Sequence, residues 1–221
     1  GITHGEEGIR MAEARDHPFS RASTYGSLGD LYLHKGDLHK AISLLERGVE
    51  LCQVWQIQFY FPHVASPLGA AYALSGRVTE ALPLLEQAVE QATSIEFIPY
   101  VSRSLASLSE GYLLASRPDE AMPLAQRALE VARQRKERGN EAYALHLLGA
   151  IAARCELPEF ERAEAYYEEA LALANELGEE LPYPFADLVA DRADLLDALA
   201  GRIVDPALWT QRNKAVGDRS R

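Results

Sequence analysis

Cysteine is scarce in this chain of 221 residues: Cys52 and Cys155 lie far apart and match no metal-ligand spacing. We therefore expect no disulfide, and each cysteine is interpreted as a small buried hydrophobe in a reducing, cytoplasmic compartment. No apolar run approaches the length that crosses a bilayer, and residues 1–15 lack the layout of a signal peptide. The sequence predicts no membrane segment.

Positive charge is also in short supply. Lys and Arg total 22 against 33 Asp and Glu, which gives a formal net charge of −11. Proteins that bind nucleic acid usually present a basic face to the phosphate backbone, and this sequence has none. We expect no nucleic-acid partner.

Motifs of known chemistry are missing as well. The chain has no glycine-rich phosphate loop, no His-Glu-x-x-His, no Cys-x-x-Cys and no Gly-x-Ser-x-Gly. Its six histidines are scattered, and the closest two, His34 and His39, fall on either side of a predicted turn. We therefore predict a protein that is not an enzyme and that uses no cofactor and no metal.

Acidic pairs occur at helical spacing, at Glu46/Glu50 and Glu86/Glu90. Two carboxylates four residues apart could bind a cation or perform acid–base chemistry. A solvated outer helix face is the simpler interpretation, and it carries a small repulsive cost.

What the sequence does contain is a helical repeat. Ala, Leu and Glu dominate, whereas Val, Ile and Thr are sparse, so the composition favours an all-α protein. The dipeptides Leu28-Gly29, Leu68-Gly69, Leu108-Ser109 and Leu148-Gly149 recur at intervals of 40 residues. A tyrosine follows the first three, at Tyr32, Tyr72 and Tyr112.

Small residues mark a second helix in each copy. Twelve residues after the anchor comes an alanine, at Ala41, Ala81 and Ala121, and two residues late at Ala163. A larger residue follows four positions later in three copies, where Leu45, Leu85 and Tyr167 stand, whereas the third copy has Ala125. This pattern favours helix pairs in close contact.

These residues resemble the tetratricopeptide repeat (TPR), whose signature places Leu-Gly and Tyr on a first helix and Ala, an aromatic residue and Ala on a second. The departures are a period of 40 instead of the usual 34, Ser109 in place of glycine and Ala152 in place of a fourth tyrosine. The resemblance implies an all-α, right-handed solenoid of antiparallel helix pairs.

The repeat divides the chain into a helical-repeat domain, residues 1–201, and a C-terminal lid and tail, residues 202–221. Gly36 and Gly76 are expected to end first helices, Asn140 to begin one and Gly178 to end the last second helix. The register of the repeat predicts that the chain opens inside a second helix, so we expect the apolar side of the first helices, including Phe19, Tyr25 and Leu28, to be partly uncovered. The predicted units are 1–16 (partial), 21–56, 60–96, 99–137, 140–178 and a capping helix at 183–200.

In this family the first helices line a concave groove that holds a protein or peptide. The resemblance therefore implies a partner site with a row of carboxylates, Asp30 and Glu110, that we expect to be exposed to solvent. No Lys/Arg clamp for a peptide's terminal carboxylate is evident. The predicted partner-binding residues are Asp30, His34, His63, Ser66, Leu74, Glu110, Leu114, Tyr143, His146 and Arg154.

The amino-acid sequence of the repeats, for example YALSGRVTEALPLLEQAVEQA, is similar to the TPR regions of large bacterial signalling proteins. These are nucleotide-cyclase/ATPase proteins and maltose-type transcription activators. The resemblance implies a non-catalytic interaction or regulatory module within a larger regulator. A sensor arm that binds a small molecule or short peptide is the alternative, and the oligomeric state stays open.

Overall fold

The computed structural model of the chain describes residues 2–15, 17–94, 100–154 and 160–180, and every regular element in this part is an α-helix. None of the described helices is long and apolar enough to span a bilayer. The predicted capping helix and the lid and tail lie outside the described residues. The helices are α1 (Ile2–Arg15), α2 (Pro18–His34), α3 (Leu38–Val54), α4 (Phe61–Leu74), α5 (Val78–Ser94), α6 (Val101–Leu114), α7 (Pro118–Arg135), α8 (Arg138–Ala152) and α9 (Phe160–Glu180).

The helices form stacked pairs, as the period of 40 predicts. α2 packs on α3, α4 on α5, α6 on α7 and α8 on α9, and each pair also contacts the next. The first helices α2, α4, α6 and α8 pack on one another in succession, so they form an inner layer. We call the surface of this layer the inner face. The fold is an all-α, TPR-like solenoid.

Glycine lets the two helices of a pair approach each other closely. A Cβ atom at Gly29 would lie 2.6 Å from the Leu45 Cγ atom, and one at Gly69 would lie 2.4 Å from the Leu85 Cγ atom. Both leucines are fully buried, so their side chains have no room to retreat.

The third and fourth pairs keep the same contact with other residues. In the fourth pair, a Cβ atom at Gly149 would lie 2.9 Å from the Cε1 atom of Tyr167. In the third, Ser109 replaces glycine and its hydroxyl donates a hydrogen bond to the Ala121 carbonyl, 2.8 Å away. Ala125 stands where the other copies have leucine or tyrosine. The smaller partner thus makes room for the serine side chain.

The predicted turns are confirmed in the first two pairs. Gly36 and Gly76 have φ values of 80° and 82°, a region that favours glycine because it has no Cβ atom. Asp37 caps α3 by accepting a hydrogen bond from the Lys40 backbone N–H.

Two helix ends were predicted wrongly. α8 begins at Arg138 with Glu137 at the N-cap, so Asn140 lies inside the helix instead of starting it. α9 runs through Gly178 to Glu180. Asn and Gly are both tolerated inside a helix, because they cost only about 1 kcal/mol or less relative to Ala.

The start of the array is better covered than the sequence suggested. Tyr25 and Leu28 are buried, because α1 packs on α2 in the place of a second helix. A Cβ atom at Gly5 of α1 would lie 2.6 Å from the Leu28 Cδ1 atom. Only Phe19 of the three predicted residues is partly exposed, at 37%.

Candidate functional site

The inner face is more closed than an open groove. Small side chains let α4 and α6 pack tightly, and the hydroxyls of Ser66 and Ser104 lie 2.8 Å apart in the buried contact. Four of the predicted partner-binding residues are buried, namely Ser66, Leu74, Glu110 and His146. The other six, which are Asp30, His34, His63, Leu114, Tyr143 and Arg154, are partly exposed.

Glu110 is the clearest departure from the sequence-based expectation. Its side chain was expected in an exposed acidic row, but it is completely buried. The Tyr143 hydroxyl of α8 donates a hydrogen bond to its carboxylate. Glu110 therefore links two inner helices, and a partner cannot reach it in this conformation.

Asp30 makes a long-range ion pair that the sequence analysis did not foresee. The guanidinium of Arg103 on α6 donates a hydrogen bond to the Asp30 carboxylate on α2, 73 residues away along the chain. His34 stands one turn further along α2, with its Nδ1 atom 3.5 Å from the same carboxylate oxygen. Both members of the ion pair keep about a fifth of their side-chain surface accessible, at 20% for Asp30 and 23% for Arg103.

His63 lies between two aromatic rings on the same face. Its ring centroid is 4.8 Å from that of Tyr60 and 4.6 Å from that of Tyr100. Burial lowers the pKa of His63 below its ordinary value, and the positive charge of Arg103 lowers it further, whereas Asp30 opposes the shift. The imidazole is therefore held neutral at physiological pH, where it can donate or accept a hydrogen bond.

We call these residues the inner-face cluster: Asp30, His34, Tyr60, His63, Tyr100 and Arg103. Sequence reasoning found Asp30, His34 and His63 but missed the other three. The signal was present in the period, because Arg103 follows His63 by 40 residues and Tyr100 follows Tyr60 by the same interval. What the sequence lacked was any sign that α2 and α6 come into contact across α4.

Aromatic residues continue from the cluster to the edge of the solenoid. The Phe19 ring lies 5.2 Å from that of Tyr60 and 5.5 Å from that of Phe59. Phe59 is 54% exposed, and Trp55 at the end of α3 is 58% exposed. Exposed aromatic rings are enriched on surfaces that bind protein segments.

Two features of the described residues bear on catalysis. No group of three or more His, Cys, Asp or Glu side chains in this part of the chain is placed to hold a metal ion. Cys52 is buried, and burial raises the pKa of its thiol to about 11, so the thiol is a poor nucleophile. Cys155 lies outside the described residues.

Comparison with known proteins agrees with this fold. Two family models described as tetratricopeptide repeat match residues 22–54 and 62–134. No curated protein matches the chain.

Solved structures share the architecture at low sequence identity. Two crystal structures from Podosopora anserina, described as a kinesin light chain with nearly identical TPR-like repeats, match this chain. One is of a point variant and is 21% identical, with a TM-score of 0.56, and the match covers 80% of this chain and 87% of that chain. The other is 22% identical, with a TM-score of 0.53, and the match covers 82% and 88%. The chain is thus a TPR-like solenoid whose residues 22–54 and 62–134 match the tetratricopeptide repeat family.

Proposed function

We propose that this chain is a non-catalytic module that holds a protein or peptide partner at the inner-face cluster. Tetratricopeptide repeats generally mediate protein–protein interaction, and two stretches of the chain match that family. The single observation that carries the proposal is the partly exposed Asp30–Arg103 pair beside His63, on a face that is otherwise largely filled.

The cluster combines two kinds of contact. One N–H donor of Arg103 is bonded to Asp30, so the remaining donors of its guanidinium are available to a backbone carbonyl or a carboxylate of the partner. The exposed ring of Phe59 offers apolar surface at the edge of the cluster, because it packs on Tyr60, whose ring contacts His63. An apolar anchor residue beside a hydrogen-bond acceptor would satisfy both.

The proposal includes the wider setting predicted from the sequence. We propose that the module works in the cytoplasm as part of a larger bacterial signalling or transcription regulator, whose catalytic domains lie outside this segment. The full open reading frame tests this directly. An ATPase, nucleotide-cyclase or DNA-binding module encoded beside the repeats supports the proposal, and their absence contradicts it.

Site-specific photocrosslinking tests where the partner binds. A photoreactive amino acid at Ser27, an exposed position of α2 next to Tyr60, is expected to capture the partner in cells of the source organism. Gln134, an exposed position on the second helix α7, is the matched control and should capture nothing specific. The captured protein is then purified, and its affinity is measured by calorimetry.

The cluster itself is tested with the purified partner. Arg103→Ala should weaken binding by about tenfold, because a charged hydrogen bond at an interface contributes about 1.4 kcal/mol or more. Crosslinks that form from Gln134 and not from Ser27 would place the interface away from the inner-face cluster and overturn the proposal.

A further inference from the structure

A cleft opens on the outer side of the solenoid, between α3 and α5. Its volume is about 410 Å³, and its apolar lining includes Val49 of α3, Leu68 of α4 and Leu84 of α5. Three carboxylates line the same cleft, those of Glu46, Glu50 and Glu80. We call this the outer cleft. The sequence analysis interpreted Glu46 and Glu50 as part of a solvated face, because the spacing of residues does not reveal a cleft.

The carboxylates of the outer cleft are only partly neutralised. Arg77 donates two hydrogen bonds to Glu80, at 2.8 and 2.6 Å, and lies 3.7 Å from Glu46. Glu50 makes no ion pair with any of the described residues. Three negative charges and one positive charge leave a local net charge of −2.

The neighbouring copies carry a cation that this cleft lacks. Gln87 lines the outer cleft, and the residues 40 positions before and after it are Arg47 and Arg127. The Arg47 guanidinium lies 5.7 Å from the centre of the Tyr25 ring, on the outer side of the preceding pair. The middle copy thus has a neutral amide where both neighbours place a positive charge.

We propose that the outer cleft is a second docking surface, separate from the inner-face cluster, and that it binds a basic, apolar segment of a partner protein. A Lys or Arg of that segment takes the place of the missing cation. Its methylene groups lie on Val49 and Leu84, and its charged end reaches Glu50. Charge complementarity selects this occupant, because an acidic segment would be repelled and a purely apolar one would leave Glu50 without a counterion.

A designed amphipathic peptide of leucine and lysine, labelled with fluorescein, serves as the probe for this surface. Its binding is followed by fluorescence anisotropy. Gln87→Arg restores the cation of the neighbouring copies and should weaken binding by about fivefold, since about 1 kcal/mol of charge complementarity is lost. Glu50→Gln should weaken binding to a similar extent.

Glu90→Gln is the matched control, because it changes the net charge of the protein by the same amount as Glu50→Gln. Glu90 is the equivalent of Glu50 in the next copy, where Arg127 is present. Its replacement should leave the affinity unchanged. Equal losses in the two glutamate variants would show that the peptide senses only the overall charge of −11, and this would overturn the proposal.

Chemical shift mapping locates the bound peptide independently. Backbone amide resonances of Val49 and Leu84 should move on titration with the peptide and remain in place in the Gln87→Arg variant. Shifts confined to the inner-face cluster would contradict the proposal. Since Gln87→Arg leaves Ser27 untouched, crosslinking at the inner face reports separately on the proposed function.

Discussion

At the scale of single residues, the contact between paired helices rests on one small residue facing one larger residue. Gly69 faces Leu85, and the third pair replaces this combination with Ser109 and Ala125. Both combinations fill the same space, because added volume on one helix is matched by a smaller side chain on the other.

Exchange of these residues tests the packing. Gly69→Leu should destabilise the fold by about 1–3 kcal/mol or more, because the new side chain meets Leu85 where its Cβ atom alone would lie 2.4 Å away. Gly69→Ser and Leu85→Ala should each lower the melting temperature measured by circular dichroism. The double variant, which copies the third pair, should recover part of the loss. Strictly additive losses would show that the two positions do not share this space.

A second prediction at this scale concerns Glu110. Charge reversal by Glu110→Lys should cost about 3–5 kcal/mol, because it removes the Tyr143 contact and buries an unpaired charge. Glu90→Lys on the exposed face of α5 is the control and should change stability by less than about 0.5 kcal/mol. Urea denaturation measures both. Equal stability of the two variants would mean that Glu110 is accessible to solvent.

At the scale of helices, tyrosines of the first helices link neighbouring pairs. The Tyr72 hydroxyl donates a hydrogen bond to Glu46 of the preceding second helix, at 2.7 Å, and the Arg77 guanidinium lies 4.0 Å from the ring centre. Tyr112 bonds Glu86 in the same way, at 2.8 Å. The fourth copy has Ala152 and Gln126 at the corresponding positions, so tyrosine and glutamate are replaced together.

Alkaline unfolding tests the Tyr72 link. Burial and then the hydrogen bond to Glu46 raise the pKa of Tyr72 to about 12. Since the folded-state pKa exceeds that of the unfolded chain, this stabilisation is complete below about pH 10 and is lost as the pH rises towards 12. Tyr72→Phe should cost about 0.5–1.5 kcal/mol at neutral pH and flatten the loss of stability in this window. An unchanged profile in thermal melts across this alkaline range would contradict the link.

At the scale of the whole molecule, the Asp30–Arg103 pair joins the first helices of two pairs that are not neighbours. α4 lies between α2 and α6, and its His63 is close to both charges. The contact therefore depends on the curvature of the array.

Loss of the Asp30–Arg103 ion pair should change the shape of the solenoid as well as its stability. Arg103→Met removes the guanidinium that joins α6 to Asp30 of α2 and should increase the radius of gyration in small-angle X-ray scattering. Exchange of the charges, by Asp30→Arg with Arg103→Asp, should restore part of the stability, with a coupling of about 0.5–3 kcal/mol. A charge-exchanged variant no more stable than the single variants would mean that this contact does not support the curvature.

The sequence by itself determined the repeat, the helix pairs and most of their boundaries. Local rules are enough for these features. The turns at Gly36 and Gly76 depend on neighbouring residues in the chain. The period of 40 and the small residue at each helix crossing depend on a single partner helix. The resemblance to the tetratricopeptide repeat could be stated for the same reason.

Only the tertiary structure decided which inner positions a partner can reach. Whether Glu110 is exposed depends on how closely α6 approaches α4 and α8, and the Asp30–Arg103 contact depends on curvature accumulated over three pairs. The outer cleft, too, is lined by residues of α3, α4 and α5, which only the stacking of successive pairs brings together. These distances result from many small rotations between successive helices, and no single residue in the sequence specifies the accumulated rotation.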